Sequence, residues 1–488
     1  MGNIYLSKSQ FTRGLQCHKS LWLYRNKPEL RGEIDAATQA RFDAGNDAGI
    51  LAQQLFPGGT VIEFDRTQFP EKIRLTKEAI DKGATTIYEA TFSHDDILVM
   101  VDILHKGARG WELHEVKSSN SVKEEHIPDA AVQYYVLTGA GMDVSDVSIV
   151  HMNKNYVRQG DIKVKKLFSI EEITDQVIDL QDFVKEQVRK QRKMLDSGIP
   201  DIDIGPQCGT PYTCDFKEYC WKGIPEDSVF DLKERGIDQF ALYRQGIIKQ
   251  KDILLDSLNS KQRFQVESTL AKKDTVNQKE TEAFLKQLWY PLCYIDFETF
   301  MTAVPPFDGL SPWQQIPFQY SIYVQQSEKA KLEHYEYLGV PGLDPRESMV
   351  KGIIEAVPKG VCMVAYNAGF EVRVLKALAQ IYPKHAARLN KIADSFIDLM
   401  DPFRKRHVYY WKVKGSYSLK AVLPALVPKM TYEGMEVSDG TMAGQAYLDM
   451  GLTEDAVERK RIRKAILEYC KQDTLGMVEI VKVLRSLV

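Results

Sequence analysis

The stretch ILVMVDILHKGARGWELHEVKSS, residues 97–119, decides the fold of the N-terminal part of this chain. Its apolar and alternating residues predict two strands joined by a turn at Lys106–Gly110. Asp102 lies in the first predicted strand, and Glu115 and Lys117 lie in the second. Since residues i and i+2 of a strand point to one face, we expect Glu115 and Lys117 in one pocket, with Asp102 beside them.

Two acids and a lysine in this pattern predict a metal-dependent hydrolytic site. The carboxylates of Asp102 and Glu115, with the carbonyl of Val116, offer hard oxygen ligands that suit Mg²⁺ or Mn²⁺. Such an ion lowers the pKa of a bound water and offsets charge on a phosphate, while Lys117 would orient the water or stabilise the transition state. The pattern alone is weak, but both acids lie within apolar strands, where uncompensated charge is costly.

Four cysteines bracket these strands and predict a second metal centre. Cys17 is separated by about two hundred residues from a cluster in CGTPYTCDFKEYC, which contains Cys208, Cys214 and Cys220. The spacing lacks the tight cysteine pairs typical of zinc sites, so we favour a 4Fe–4S cluster over zinc, and zinc over four free thiols. Its role would be structural. The other three of the seven cysteines lie in apolar runs and are interpreted as buried hydrophobic residues, namely Cys293, Cys362 and Cys470.

The first 225 residues resemble the RecB-type PD-(D/E)xK nucleases, in the iron–sulfur branch that includes the CRISPR-associated cluster-bearing exonucleases. The resemblance rests on LVMVDIL, WELHEVKSS, the predicted helix that carries Gln133, and the cysteine layout. It implies a restriction-endonuclease-like core in which Asp102 and Glu115 bind metal, Lys117 is catalytic and Gln133 helps to position the site. Many members carry a metal-binding histidine where this chain has Gly49, which puts the full ligand set in doubt.

Three further blocks predict a second active site in residues 289–488. Asp296 and Glu298 follow the apolar run PLCYI, Glu371 follows GVCMVAYN at the start of a predicted helix, and Tyr469 precedes Asp473 by one helical turn. Four converging acids could hold two metal ions, one to activate water and one to stabilise the leaving oxygen, with Tyr469 orienting the water.

These blocks, in this order, resemble the tyrosine-type DEDD 3′–5′ exonucleases of the ribonuclease H-like fold. The second block of that family normally ends in aspartate, and here it ends in Glu371. Asp398 would be a secondary acid near the metals. The chain as a whole resembles an uncharacterised bacterial family that fuses both nuclease-like domains, which implies a nuclease and leaves its biological role open.

A basic and aromatic segment precedes the last acid block and predicts contacts with single-stranded nucleic acid. Basic groups would bind phosphates and aromatic rings would stack on bases, although a charge run is often only a solvated face. The candidate residues are Arg404, Lys405, Arg406, Tyr409, Tyr410, Trp411, Lys412 and Lys414.

The bulk composition sets limits on this interpretation. A length of 488 residues predicts two to four domains, and we place a helical connector at residues 226–288. A net charge of −3 argues against an overall nucleic-acid-binding coat but allows a local basic groove. Without a long apolar run or a signal-peptide pattern, we expect a cytoplasmic protein with no membrane partner.

The sequence therefore predicts an α/β, multidomain, metal-dependent nuclease with two sites, in repair, recombination or defence, and DNA is favoured over RNA. A nucleic-acid-binding scaffold with one or both sites inactive, or an RNA exonuclease, remains the alternative.

Overall fold

The computed structural model describes residues 6–33, 36–63 and 68–488. The chain divides into two compact units, one formed by residues 1–223 with 302–314 and the other by residues 224–301 with 315–488. Each unit combines a β-sheet with packed helices, so the mixed α/β, multidomain architecture expected from the sequence is confirmed.

The first unit is built on a seven-stranded mixed sheet. The strands run in the order β2-β3-β4-β5-β6-β7, with β1 paired to β4. The pairs β3/β4 and β4/β5 are antiparallel, and β5 is parallel to β6. The strands are β1 (Leu6–Ser7), β2 (Thr60–Val61), β3 (Thr86–His94), β4 (Ile97–Lys106), β5 (Trp111–Lys117), β6 (Val144–Met152) and β7 (Phe168–Glu172).

Helices pack on this sheet, and one of them makes the parallel crossover from β5 to β6. They are α1 (Lys8–Gln16), α2 (His18–Asn26), α3 (Ala36–Ala52), α4 (Phe69–Asp81), α5 (His126–Gly139), α6 (Val164–Leu167), α7 (Thr174–Asp179), α8 (Gln181–Leu195) and α9 (Lys217–Trp221). Helices α1 and α2 are separate because Cys17 between them has an extended backbone with φ −163° and ψ 117°.

The segment 302–314 joins two strands of the second unit but packs within the first. Trp313 Nε1 donates a hydrogen bond to the carbonyl of Ser118, next to Lys117. Arg158 Nη1 donates to the carbonyl of Pro305 at 3.0 Å. The sequence pattern does not predict that residues 302–314 pack in the first unit, since only long-range contacts define this packing.

The second unit is built on a five-stranded sheet in the order β11-β10-β9-β12-β13. Strand β10 is antiparallel to both of its neighbours, whereas β9, β12 and β13 are parallel. Its strands are β9 (Leu292–Phe300), β10 (Ile316–Gln325), β11 (Glu333–Leu338), β12 (Cys362–Ala365) and β13 (Phe396–Asp398). Two short strands, β8 (Thr275–Val276) and β14 (Val408–Tyr409), form a separate two-stranded sheet.

The helices of the second unit include a long C-terminal one that packs across β9 and β10. They are α10 (Gln239–Arg244), α11 (Ser260–Ala271), α12 (Gln278–Leu285), α13 (Arg346–Ala356), α14 (Gly369–Ile381), α15 (Ala386–Ala393), α16 (Asp401–Arg404), α17 (Leu419–Leu426), α18 (Gly440–Leu452) and α19 (Ala456–Ser486).

Residues 226–288, predicted as a connector, pack inside this second unit. Strand β8 pairs with β14, and Gln265 Nε2 donates to the carbonyl of Lys414 at 3.0 Å. Among the described residues, none of the helices is both long enough and apolar enough to cross a bilayer.

Candidate active sites

The first carboxylate cluster lies where β4, β5 and α5 meet. Glu115 is only 2% exposed, and its Oε1 accepts a hydrogen bond from Lys117 Nζ at 2.7 Å. Gln133 Nε2 on α5 donates to the other oxygen, Oε2, at 2.8 Å. Asp102 Oδ2 accepts from the backbone amide of Val116 at 2.7 Å. The structure therefore brings together Asp102, Glu115, Lys117 and Gln133, as the sequence predicted.

Two further charged residues belong to this cluster and were missed by sequence reasoning. Lys8 Nζ, at the start of α1, lies 2.7 Å from Glu115 Oε1 and 3.6 Å from Asp129 Oδ2. Lys117 Nζ also donates to Asp129 Oδ2, at 2.5 Å. The helical spacing of Asp129 and Gln133 could have revealed Asp129 from the sequence. Nothing local signals Lys8, which is 107 residues from Glu115.

Glu89 is a fourth acid near this cluster and has a strained backbone. The pairs Tyr88 with Ile103 and Ala90 with Val101 place it opposite Asp102 in the β3/β4 ladder. Its φ is +58°, in the left-handed region of backbone conformation, which residues other than glycine enter at a cost of about 1–3 kcal/mol. Strain of this kind is concentrated at functional sites, which supports a role for Glu89 beside the predicted ligands.

The acids of the first cluster are unequally charged. Burial, with the nearby Glu115 carboxylate, raises the pKa of Asp102 to about 8. Burial also acts to raise the pKa of Glu115, but Lys117 and Lys8 outweigh it and hold that pKa below its ordinary value. When all groups are ionised, the cluster has a net charge of two negative units, which one divalent cation would neutralise. The carboxylates are those of Glu89, Asp102, Glu115 and Asp129, and the ammonium groups are those of Lys8 and Lys117.

The four predicted cluster cysteines line one small pocket, although Cys17 is remote from the others in sequence. Arg13 and Arg31, from the N-terminal helices and the turn after them, bind the carboxylate of Asp215 between the later cysteines at 3.0 and 2.6 Å. Gln16 Nε2 donates to the carbonyl of Tyr212 at 2.7 Å. The N-terminal helices are thus joined to the cysteine-rich segment, as the sequence bracket predicted.

The spacing of the sulfur atoms bears on which metal this pocket suits. All four cysteines lie in the described part of the chain, and no three of their Sγ atoms are within 4.8 Å of one another. Tetrahedral zinc with Zn–S bonds of about 2.3 Å needs thiolates closer than that. A 4Fe–4S cluster would place iron and sulfide atoms between its thiolates and would need wider spacing than a single zinc ion.

The second carboxylate cluster lies at the centre of the five-stranded sheet. Asp296 and Glu298 share one face of β9, Glu371 is in the first turn of α14, and Asp473 is on α19. The last three are 3–6% exposed, and Asp296 is partly exposed. Carboxylate oxygens of Asp296 and Glu298 and the Sγ of Cys470 all lie within 4.8 Å of one another.

These four acids lack the lysine partners found in the first cluster. Among the described residues, no lysine or arginine forms an ion pair within 4.0 Å of any of them. Glu371 Oε2 is buried without a hydrogen-bond partner. Burial, with the neighbouring carboxylates, raises the pKa of Asp296, Glu298 and Glu371 well above the ordinary value. Buried, mutually repelling oxygens of this kind fit divalent cations.

Two tyrosines contact Asp473, one of them unexpected. The hydroxyl of Tyr432, from the loop between α17 and α18, donates a hydrogen bond to Asp473 Oδ1, and the predicted Tyr469 lies beside the same carboxylate. Burial raises the pKa of Asp473 to about 6, although both tyrosine hydroxyls act to lower it. Lys420 is exposed, and its Nζ lies 5.7 Å from the centre of the Tyr469 ring.

Cys470 and Asp398 make contacts that the sequence did not specify. The Cys470 thiol, interpreted from sequence as a plain hydrophobe, lies 3.6 Å from Asp296 Oδ2. Asp398, predicted as a secondary acid near the metals, accepts from the backbone amides of Asn367 and Met400, each at 3.0 Å. It therefore holds the turn that presents Glu371, in which Asn367 has a φ of +67°.

The basic segment does not form one continuous surface. Tyr409 is 4% exposed and packs in the core, and Arg406 pairs with Glu234 and lies over the Phe264 ring. Both side chains pack against other parts of the protein, which corrects the prediction that they contact single-stranded nucleic acid. Those that remain at least partly exposed are Arg404, Lys405, Tyr410, Trp411, Lys412 and Lys414, although Arg404 and Lys405 pair with Asp401 and Lys414 with Asp227.

Comparisons with known proteins find similarity to an uncharacterised domain and to uncharacterised proteins. A family described as "Domain of unknown function (DUF2779)" matches residues 293–418, which include three of the four acids. An uncharacterized protein of Mycoplasma pneumoniae is similar, with 26% identity over 219 residues that cover 40% of this chain and 33% of the relative.

Two other relatives show the same extent of similarity. An uncharacterized protein of Ureaplasma parvum is 24% identical, over 40% of this chain and 31% of its own length. One of Mycoplasma genitalium is 25% identical, over 40% of this chain and 32% of its own length. The chain thus spans about a third of the length of the curated relatives it matches.

Proposed function

We propose that this protein is a divalent-metal-dependent nuclease with two active sites, which hydrolyses phosphodiester bonds of nucleic acid and favours single-stranded DNA ends. The observation that carries the proposal is the second cluster. Within the described part of the chain, four acids converge there without an ion-paired cation, and Glu371 Oε2 is buried without a hydrogen-bond partner. Such an arrangement is costly for folding alone, so a bound cation is its most economical explanation.

Strand order supports the two proposed folds. In the second unit, the order β11-β10-β9-β12-β13, in which only β10 runs antiparallel to the other strands, is what we expect of a ribonuclease H-like fold. In the first unit, α4, three antiparallel strands, α5 and the parallel strand β6 follow one another. This order supports a restriction-endonuclease-like core.

The residues of the second site suggest how it would act. When bound, divalent ions there supply an activated water and a charge that stabilises the leaving oxygen. Asp296, Glu298, Glu371 and Asp473 would hold the ions. Tyr469 lies one helical turn from Asp473 and would orient the attacking water. Lys420 would bind the phosphate from the exposed side.

At the first site, Asp102 and Glu115 would hold one ion, and Gln133 and Lys117 would fix the orientation of Glu115. Lys117 is anchored by Asp129 as well, so its ammonium group is positioned before substrate arrives. A 4Fe–4S cluster on Cys17, Cys208, Cys214 and Cys220 would stabilise this unit without taking part in hydrolysis. A cytoplasmic role in repair, recombination or defence is consistent with these parts.

The direct test is hydrolysis of end-labelled single-stranded DNA and RNA by the purified protein with Mg²⁺ or Mn²⁺. We expect metal-dependent cleavage of DNA, reduced by Asp296→Ala and by Asp102→Ala separately and abolished by the double variant. Cleavage of RNA alone would change the substrate assignment. Activity that survives in the double variant would show that these residues do not form the active sites.

A further inference from the structure

Lys8 reaches the first carboxylate cluster on a fixed backbone. Leu6 and Ser7 pair with Ile97 and Leu98 of β4, the strand that carries Asp102. Ser7 then caps α1 through reciprocal hydrogen bonds with Gln10, of 3.3 and 3.4 Å. Lys8 is the first residue of that helix, and its side chain is 23% exposed. Its contact with the cluster is therefore set by the fold, and not by a freely mobile chain end.

The hydrogen bonds around Glu115 leave no free place for a metal ion at Oε1. Lys8 and Lys117 both donate to Oε1, each at 2.7 Å, and Gln133 donates to Oε2. A cation that binds Oε1 must displace one of the two lysines. Lys117 keeps a second, shorter bond to Asp129, whereas Lys8 lies 3.6 Å from that acid. Lys8 is thus the donor that can leave Glu115 at the lower cost.

We propose that Lys8 is a tethered cation that occupies Glu115 in the metal-free protein, yields to a divalent ion, and then binds the substrate phosphate beside that ion. The inference rests on the proposed nuclease function for its second step only. Displacement needs no bond to form or break covalently, since one cation replaces another on a carboxylate. The released ammonium group stays within reach of the cluster because β1 holds its backbone to β4.

The test is Mn²⁺ binding by calorimetry in the full-length protein carrying Asp296→Asn and Asp473→Asn, which removes the second site. In this background we expect Lys8→Met to bind Mn²⁺ about tenfold more tightly or better, since a competing charge a few ångströms away is lost. Lys8→Arg keeps the charge and should match the parent. Lys82→Met is the control, because Lys82 pairs only with the exposed Glu78.

The second readout is catalysis with Asp296 and Asp473 intact in one series and replaced in the other. In the series that lacks Asp296 and Asp473, at saturating Mn²⁺, we expect Lys8→Met to cleave DNA about tenfold more slowly or worse, because a phosphate ligand is missing. In the other series, the second site should continue to cleave. Lys8→Gln is a second neutral variant in case Lys8→Met fails to fold.

Unchanged or weaker Mn²⁺ binding by the neutral variants would overturn the competition. Absence of any Mn²⁺ binding in the parent background would overturn it too. Tighter binding together with an inactive wild-type protein would uphold the tethered cation while removing the phosphate step and the proposed function. The two failures can therefore be told apart.

Discussion

Replacing Glu298 by glutamine should stabilise the metal-free protein and weaken its response to metal. Glu298 is 6% exposed, and its carboxylate lies within 4.8 Å of that of Asp296. Two unit charges at that separation repel each other by about 3.5 kcal/mol at an effective dielectric constant of about 20. Protonation of one acid relieves part of this repulsion, so we expect Glu298→Gln to raise the free energy of unfolding by about 1–3 kcal/mol.

The gain should grow with pH. Burial first, and then the Asp296 and Asp473 carboxylates, raise the pKa of Glu298 well above its ordinary value. The folded protein therefore keeps a proton that the unfolded chain releases above a pH of about 4.3. The stability associated with that proton is present below this pH and is lost as the pH rises towards the folded pKa. Glutamine has no such loss, so wild type and variant should differ least near pH 4 and most near pH 8.

The assay measures the Tm of the thermal unfolding transition of the second unit, once in EDTA and once in Mn²⁺. For a domain of this size, 1 kcal/mol shifts Tm by about 2–4 °C, so a gain of about 1–3 kcal/mol should raise the Tm of the variant in EDTA by about 2–12 °C. In Mn²⁺ the order should reverse, because the variant has lost a ligand. Glu347→Gln is the control, since Glu347 pairs only with the exposed Lys351 and should change Tm little. A lower Tm of Glu298→Gln in EDTA, or equal stabilisation of both proteins by Mn²⁺, would refute the reasoning.

Three other predictions concern the remaining parts. Cys17→Ser should lower the iron and acid-labile sulfide of anaerobically purified protein from about four each per chain, whereas Cys362→Ala should not; a colourless, zinc-containing wild type would contradict the cluster. Gly49→His should tighten Mn²⁺ binding at the first site, because the resembled nucleases carry a metal-binding histidine at this position and a Cβ at Gly49 meets no atom within 4 Å. Unchanged binding would show that the histidine position lies elsewhere. Tyr432→Phe removes a donor from the buried Asp473 and should cost about 1–2 kcal/mol in urea unfolding of the metal-free protein; no loss would argue against that hydrogen bond.

Much of the secondary structure could be predicted because it depends on local pattern. The strands around Asp102 and Glu115 and the strand before Asp296 alternate or are wholly apolar, and the structure places them where the pattern does. The exchange of residues 302–314 into the first unit could not be predicted. It depends on contacts such as that of Trp313 with Ser118, which are 195 residues apart.

The candidate sites divide in the same way. Acids at fixed spacing on one element, such as Asp296 with Glu298 or Tyr469 with Asp473, could be grouped from sequence. Lys8 and Tyr432 could not, since each reaches its site from a distant segment by a hydrogen bond. Charge and aromatic content also overstated the nucleic-acid surface, because composition does not reveal that Tyr409 packs in the core.

The central claim is that two groups of buried carboxylates bind divalent cations, and anomalous scattering from Mn²⁺ in crystals of the protein tests it most directly. We expect Mn²⁺ peaks against Asp296, Glu298, Glu371 and Asp473, and a further peak between Asp102 and Glu115 with Lys8 moved off the Glu115 carboxylate. Crystals saturated with Mn²⁺ that show no peak at either cluster, with Lys8 still bound to Glu115, would contradict it.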